Sequence, residues 1–237
     1  MKLTMNTSKK NKIYTTLTKP LVVILVIALA TFFSYFDRNY GYFFGIGIAF
    51  LILWGSNFRW SEFGFAQKIN IKTVLKSIGI TALIFIGIDI CIQPLLEIYL
   101  GQVDLSSLDH IKNDFGNYLI IIIVMWIFAA FGEEFLFRGY YMKRVAELFG
   151  STDKAWLVSA IFISVYFGIS HYYQGPAGMI AVGLVGFVQS MLFYKNRNNL
   201  VLVVLVHGFY DMIGLTLLYF DKYTIFYDWT KELLQNI

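Results

Sequence analysis

Charge is scarce in this chain of 237 residues: Asp, Glu, Lys and Arg make up 14% of it, against about 25% in a soluble domain, while 58% is hydrophobic. That scarcity excludes a water-soluble globular protein and points to a polytopic membrane protein. Cysteine occurs once, at Cys91, which excludes an intrachain disulfide. Histidine occurs only three times, and the HExxH pattern that would by itself call for zinc is missing. No internal repeat, long low-complexity segment or separate soluble domain is visible. The net charge of +4 comes from basic connections between apolar runs, so it does not call for a nucleic-acid partner.

What is present is a series of apolar stretches of spanning length or close to it, at about 20–36, 41–55, 73–98, 116–142, 155–174, 177–194 and 199–220. The fold expected is all-α, a polytopic transmembrane bundle of seven or eight helices. A basic segment, 1–19, precedes a single membrane domain, 20–220, whose core for chemistry is about 116–220, and a tail, 221–237, follows. The stretch at 41–55 is short, and the aromatic tail around Tyr223 to Trp229 suits the membrane interface. The first apolar stretch also has the outline of a signal peptide, with an apolar core Leu21–Leu29 and Ala28-Leu29-Ala30 as a cleavage site. Apolar residues continue through Tyr35 and the basic region before them is long, so an uncleaved anchor is the expectation.

Lys2, Lys9, Lys10, Lys12 and Lys19 precede the first stretch, and Arg59, Lys68, Lys72, Lys143, Arg144, Lys154, Lys195 and Arg197 fall in every second connection after it. The segment from Glu97 to Asp114 is instead acidic, with Asp104, Asp109 and Asp114 against Lys112. Basic connections stay inside, so the N-terminus is expected in the cytoplasm of a multi-pass cell-membrane protein whose constant partner is the lipid bilayer.

The polar residues inside these stretches carry the functional signal. Glu133 and Glu134, with Arg138 one turn on, interrupt a run that is uncharged from Phe115 to Gly132. An ionisable side chain at bilayer depth costs roughly 2.5–3.5 kcal/mol even on lenient scales, so three together imply a function or a partner. Eighteen apolar residues already suffice to span, and the group then sits in water at the membrane exit; that reading competes with the functional one. On an α-helix Glu134 and Arg138 share a face, so Arg138 keeps Glu134 ionised, whereas Glu133 points about 100° away and is the better proton acceptor. His171 ends the fifth stretch, and His207 has Asp211 four residues later on the same face; histidine with carboxylate is a usual zinc ligand set. Each alone is more often a packed residue satisfied by a neighbouring helix. At about 1.5 Å of rise per residue, Glu134 lies roughly 15 Å in, His207 about 12 Å and His171 about 24 Å; tilted helices and long side chains narrow that spread, as does a chain that turns back inside the membrane at Tyr172–Pro176. Asp89 faces either the same polar groups or a hydrogen bond to an adjacent helix, Gln189 and Phe167 read as packing, and His110 as solvated.

EEFLFR at Glu133–Arg138, FGISH at Phe167–His171 and HGFYD at His207–Asp211 resemble, in order and spacing, the EExxxR, FxxxH and HxxxN/D signatures of the CPBP intramembrane metalloproteases, the family of CAAX proteases and bacteriocin-processing enzymes. The similarity covers about 120–215. It implies an all-helical membrane fold with a polar cavity in the bilayer, Glu133 activating water, Glu134 and Arg138 supporting it, and His171 and His207 binding a metal or the transition state. Asp211 stands where the family often has Asn. An ionised Asp cannot donate a hydrogen bond to an oxyanion, so it orients His207 or binds metal. The cofactor implied is a divalent metal, zinc by ligand type, held by His171, His207 and Glu133, although a glutamate-only mechanism uses the same residues.

The activity this implies is an endopeptidase acting on a membrane-associated or apolar peptide or a membrane protein. A small, basic, Lys/Asn-rich chain suits a bacterial member, such as those linked to bacteriocin immunity, more than one cutting prenylated proteins. A proton- or ion-coupled transporter is the alternative from another class, and a scaffold holding a partner such as a sensor kinase is a third; the missing repeats argue against the first and the intact glutamates and histidines against the second. The topology is testable. Cysteines placed at Ser106 and Asn198 in a Cys91→Ser background should differ, with an impermeant thiol reagent on intact cells labelling position 106 and sparing 198; the opposite pattern reverses the orientation.

Overall fold

The computed structural model describes residues 2–236, with side chains described from residue 9; Met1, Ile237 and the side chain of Lys2 lie outside the described residues. Regular structure among them is helical, with one isolated antiparallel bridge between Phe65 and Asn199. The seven apolar stretches are all helices: α2 (Pro20–Phe36), α3 (Arg38–Gly55), α4 (Ile71–Leu100), α5 (Phe115–Leu148), α6 (Asp153–Ser170), α7 (Gly175–Lys195) and α8 (Leu200–Tyr219). The basic N-terminal segment is itself helical, α1 (Lys2–Leu17), and α9 (Ile225–Gln235) forms most of the tail.

By length and composition five of them, α4 to α8, are able to cross a membrane, and six spans result if α1 and α2, bent by 74° at the break between them, count as one. The bend follows from Pro20 at the first turn of α2, which forces Lys19 into an extended conformation at ψ 129°. α3 begins Arg38-Asn39 and carries four glycines, at 41, 45, 47 and 55, which lower its hydropathy below the others. Helix starts are set by side-chain caps: Asp37 accepts from the Asn39 N–H, Asn70 from Thr73 and Asp114 from Asn117.

Two helices depart from α geometry. α4 widens into a π-helix over Phe85–Ile92, closed by a Gln93 N–H to Ile88 carbonyl bond five residues back. Pro94 explains the slip, since it has no N–H to continue the α pattern. α5 is α-helical to Val124, π from Met125 to Met142 and α-helical again over Lys143–Leu148, and π geometry is rare and tends to occur at functional positions.

The chain divides into two compact units. The first is Met1–Lys68, Gly132–Ile163 and Phe193–Val201. Here α3 packs by glycine: a Cβ on Gly41 would strike Ser34 Oγ and the Ala30 carbonyl of α2, and one on Gly45 would lie 2.5 Å from the Tyr141 hydroxyl. Gly41 and Gly45 form the GxxxG spacing that brings membrane helices together without a hydrophobic driving force. The Phe135 ring stacks on Phe63 at 4.4 Å and meets Phe50 at 5.2 Å. Outside the apolar core, Glu62 accepts from Tyr14 at 2.9 Å and faces Lys143 at 3.5 Å. Burial works to raise the Glu62 carboxyl, but the Tyr14 hydrogen bond and the cations Lys143, Arg59 and Arg144 outweigh it and hold the group below its ordinary value.

The second unit is Ile69–Phe131, Ser164–Leu192 and Leu202–Ile237. Its core sets Ile84 and Ile88 of α4 against Ala181 and Val185 of α7 and Leu202 and Val206 of α8. Thr81 donates to the Val206 carbonyl at 3.1 Å. The turn between α6 and α7 falls at Tyr172–Gln174, between two helices each long and apolar enough to cross a membrane. The Asp104 N–H bonds to the Gln174 carbonyl at 3.0 Å and the Asn113 N–H to the Tyr219 carbonyl at 2.9 Å, so that turn, the α4–α5 connection and the end of α8 lie at one end of the unit.

Candidate active site

The first unit holds the acidic motif on the π-helical part of α5. Glu134 and Arg138 are both completely buried, and the Arg138 Nη1–H donates to Glu134 Oε1 at 2.8 Å. Phe135 and Leu136, at 0% and 2% exposure, fix the intervening turn in the aromatic core. Glu133 is half-buried, so burial separates the two glutamates. Their angular separation is smaller than α geometry sets, because a π-helix turns through fewer degrees per residue; the 100° reading is corrected accordingly. Tyr42 of α3 lies within electrostatic reach of Glu133. Sequence reading missed this residue, and the signal that points to it is the Gly41/Gly45 spacing that draws α3 inward.

The second unit holds the histidines. His171 follows the last turn of α6, and its Nδ1 is 2.8 Å from the Phe167 carbonyl. A carbonyl only accepts, so Nδ1 carries the hydrogen in that bond. His207 of α8 is buried, with Nε2 3.3 Å from Asp211 Oδ2. The Phe167 ring centroid is 4.7 Å from that of His171 and meets His207 edge-on at 6.2 Å, so the phenylalanine of FGISH contacts both imidazoles as well as filling core. The glycines beside the motif residues explain the close helix approach: a Cβ on Gly168 would be 2.6 Å from the Met179 carbonyl, and one on Gly208 would run into the Trp126 ring.

Of the other polar residues, Asp89 has the hydrogen bond to an adjacent helix, accepting from the Tyr210 hydroxyl of α8 at 2.9 Å. Gln189 is fully buried. Zinc takes imidazole nitrogens and carboxylate oxygens, and Glu133, His171 and His207 are of the right chemical type. Among the described residues, however, no three His, Cys, Asp or Glu side chains are gathered as a metal ion needs, and no step below is routed through one.

A family model described as Rce1-like, type II CAAX prenyl endopeptidase Rce1-like, matches residues 115–213, which contain all three motifs. No curated protein and no solved structure matches the chain.

Removing one member of a buried ion pair leaves an uncompensated charge and typically costs about 3–5 kcal/mol, whereas replacing both with apolar groups is often close to neutral. Arg138→Met should therefore lower the unfolding temperature of the detergent-purified protein sharply. Adding Glu134→Leu should recover most of the loss, and a double variant no more stable than Arg138→Met would show that the pair is not the main term.

Proposed function

We propose, from the match of residues 115–213 to the Rce1-like type II CAAX prenyl endopeptidase model, that this multi-pass membrane protein hydrolyses a peptide bond in an apolar, membrane-associated substrate with Glu133 as the general base. The observation that carries the proposal is the asymmetry of the glutamate pair: Glu134 is locked to Arg138 in full burial, and Glu133 is half-buried beside it.

Peptide hydrolysis needs a water made nucleophilic, a place for its proton, and stabilisation of the carbonyl oxygen as it becomes negative. Glu133 takes the proton as the water oxygen bonds to the carbonyl carbon. It then returns the proton to the amide nitrogen as the carbon–nitrogen bond breaks. Arg138 donates to Glu134 at 2.8 Å, and that fixed pair stands next to the working carboxylate. His171 and His207 are the oxyanion-stabilising groups in this reading, His171 oriented by the Phe167 carbonyl and His207 by Asp211. A divalent ion bound by imidazole and carboxylate would add Lewis acidity toward the same oxygen. The favoured substrate is a peptide or another membrane protein, cut near the cytoplasmic side and handled as in peptide maturation or bacteriocin immunity.

Glu133→Gln tests the base. Loss of a positioned general base costs about 10²- to 10⁴-fold in rate, so this variant should be nearly inactive on a peptide library while unfolding at the wild-type temperature. Equal cleavage by variant and wild type removes the mechanism, and no cleavage by either, with ion flux in liposomes, replaces it by transport. Elemental analysis of the same preparation reads the metal.

Asp211 is expected to act through His207. Partners that orient an imidazole are commonly worth about 10- to 100-fold in activity, and Asn keeps the shape and a hydrogen bond to the ring. Asp211→Asn should retain substantial cleavage and Asp211→Ala should not. An Asn variant as inactive as Glu133→Gln would assign the charge of Asp211 a direct role.

A further inference from the structure

The second unit contains a cavity that the proposed hydrolysis does not use. It has about 290 Å³ of empty space including its mouth, and its walls include Asp89, Gln93 and Glu97 of α4 and Tyr223, Phe226 and Tyr227 at the start of α9. The three α4 residues recur every four positions, so they form one stripe facing α9. That stripe begins in the π-helical segment Phe85–Ile92, the distortion tied to Pro94. The lining carries two carboxylates and no basic side chain.

The fold satisfies the two carboxylates to different degrees. Asp89 Oδ1 accepts from the Tyr210 hydroxyl at 2.9 Å, while Asp89 Oδ2 is shut off from solvent and has no hydrogen-bond partner among the described residues. Glu97, at 7% exposure, accepts the Val103 N–H at 3.1 Å on Oε1. Gln93 donates to the Tyr223 hydroxyl at 3.2 Å, which ties α9 across the cavity. A buried carboxylate oxygen left without a donor is costly, and the group that relieves it is a hydrogen-bonding cation.

The rest of the wall says what kind of cation. Aromatic faces from Tyr223, Phe226 and Tyr227 attract positive charge through their quadrupoles and accept an apolar stem, which a hydrated inorganic ion lacks. Lys231 already places its ammonium 5.6 Å from the Tyr227 ring centroid on the same helix. The inner space admits a group about the size of one water, which a primary ammonium matches and a quaternary one exceeds. We propose that this cavity is a binding site for a primary ammonium group on an apolar stem, such as a lysine side chain of a peptide or the ethanolamine head of a lipid, with Asp89 and Glu97 as its counter-charges. The site rests on the second unit alone and does not depend on the hydrolytic reading.

Thermal unfolding of the whole protein in a neutral sugar detergent, titrated with n-butylammonium chloride against NaCl of equal ionic strength, tests it. Butylammonium should give a saturable rise in unfolding temperature that NaCl does not, and tetramethylammonium should give much less. A hydrogen bond to a charged group is worth enough that Asp89→Asn and Glu97→Gln should each weaken apparent affinity about tenfold or more. If Asp89→Asn does not fold, Glu97→Gln carries the test. Competition by acetyl-lysine amide or by phosphatidylethanolamine in nanodiscs names the source, the stronger competitor being the natural class. Equal responses to butylammonium and NaCl, or a folded Glu97→Gln variant that responds as wild type does, would overturn the proposal.

Discussion

A fully buried ion pair inside an otherwise apolar helix is the constraint from which the rest of the first unit follows. Glu134 and Arg138 meet at 2.8 Å with no exposure to solvent, and each would be strongly destabilising without the other. A pair of this kind holds only if its geometry is kept, because mutual attraction offsets desolvation only when the groups cannot drift apart. The aromatic stack of Phe135 on Phe63 keeps the backbone between them in place, and Leu136 is sealed beside it. Rigid apolar packing around the motif is therefore a condition for its charge.

Close helix contact is the second condition, and here it is made by removing side chains. Lipid tails are as apolar as leucine, so burying more leucine does not draw membrane helices together, whereas dispersion at short range does. Gly41 and Gly45 admit α3 to its neighbours in the first unit; Gly168 and Gly208 do the same for α6 and α8 in the second. The latter two stand directly beside Phe167 and His207. The motif residues Phe167 and His207 thus sit beside close helix contacts, where an orienting hydrogen bond such as His171 to the Phe167 carbonyl is well held.

Hydropathy makes the helices legible, since all seven apolar stretches are helical, and three short motifs in order point to the family whose model matches residues 115–213. What was not legible has physical reasons. The π geometry of α5 does not show in a pattern of apolar residues, because a run that is apolar on every face has no period to read; an α-helix was therefore assumed around Glu133. The bend before α2 was legible in Pro20 but was read as the start of a helix after a basic segment, not as a junction of two. The hydrogen bond from Asp104 to Gln174, which places the α6–α7 turn beside the α4–α5 connection, joins residues seventy positions apart that no local pattern relates.

Two of the intramembrane acids, Glu134 and Asp89, show how differently one fold treats the same problem. Glu134 is paired with a guanidinium one turn away on its own helix, so the pair is a fixed part of the structure. Asp89 is given a tyrosine from another helix, which satisfies one oxygen and leaves the other closed in beside a cavity with no basic lining. A neutral hydroxyl stabilises a carboxylate less than a guanidinium does, so Asp89 keeps a residual demand for positive charge that Glu134 has already met. Permanent pairing suits a residue that must hold a constant field for a neighbour. Incomplete pairing suits a residue whose partner comes and goes, and the aromatic residues of α9 that wall the same cavity give such a partner an apolar surface to lie against.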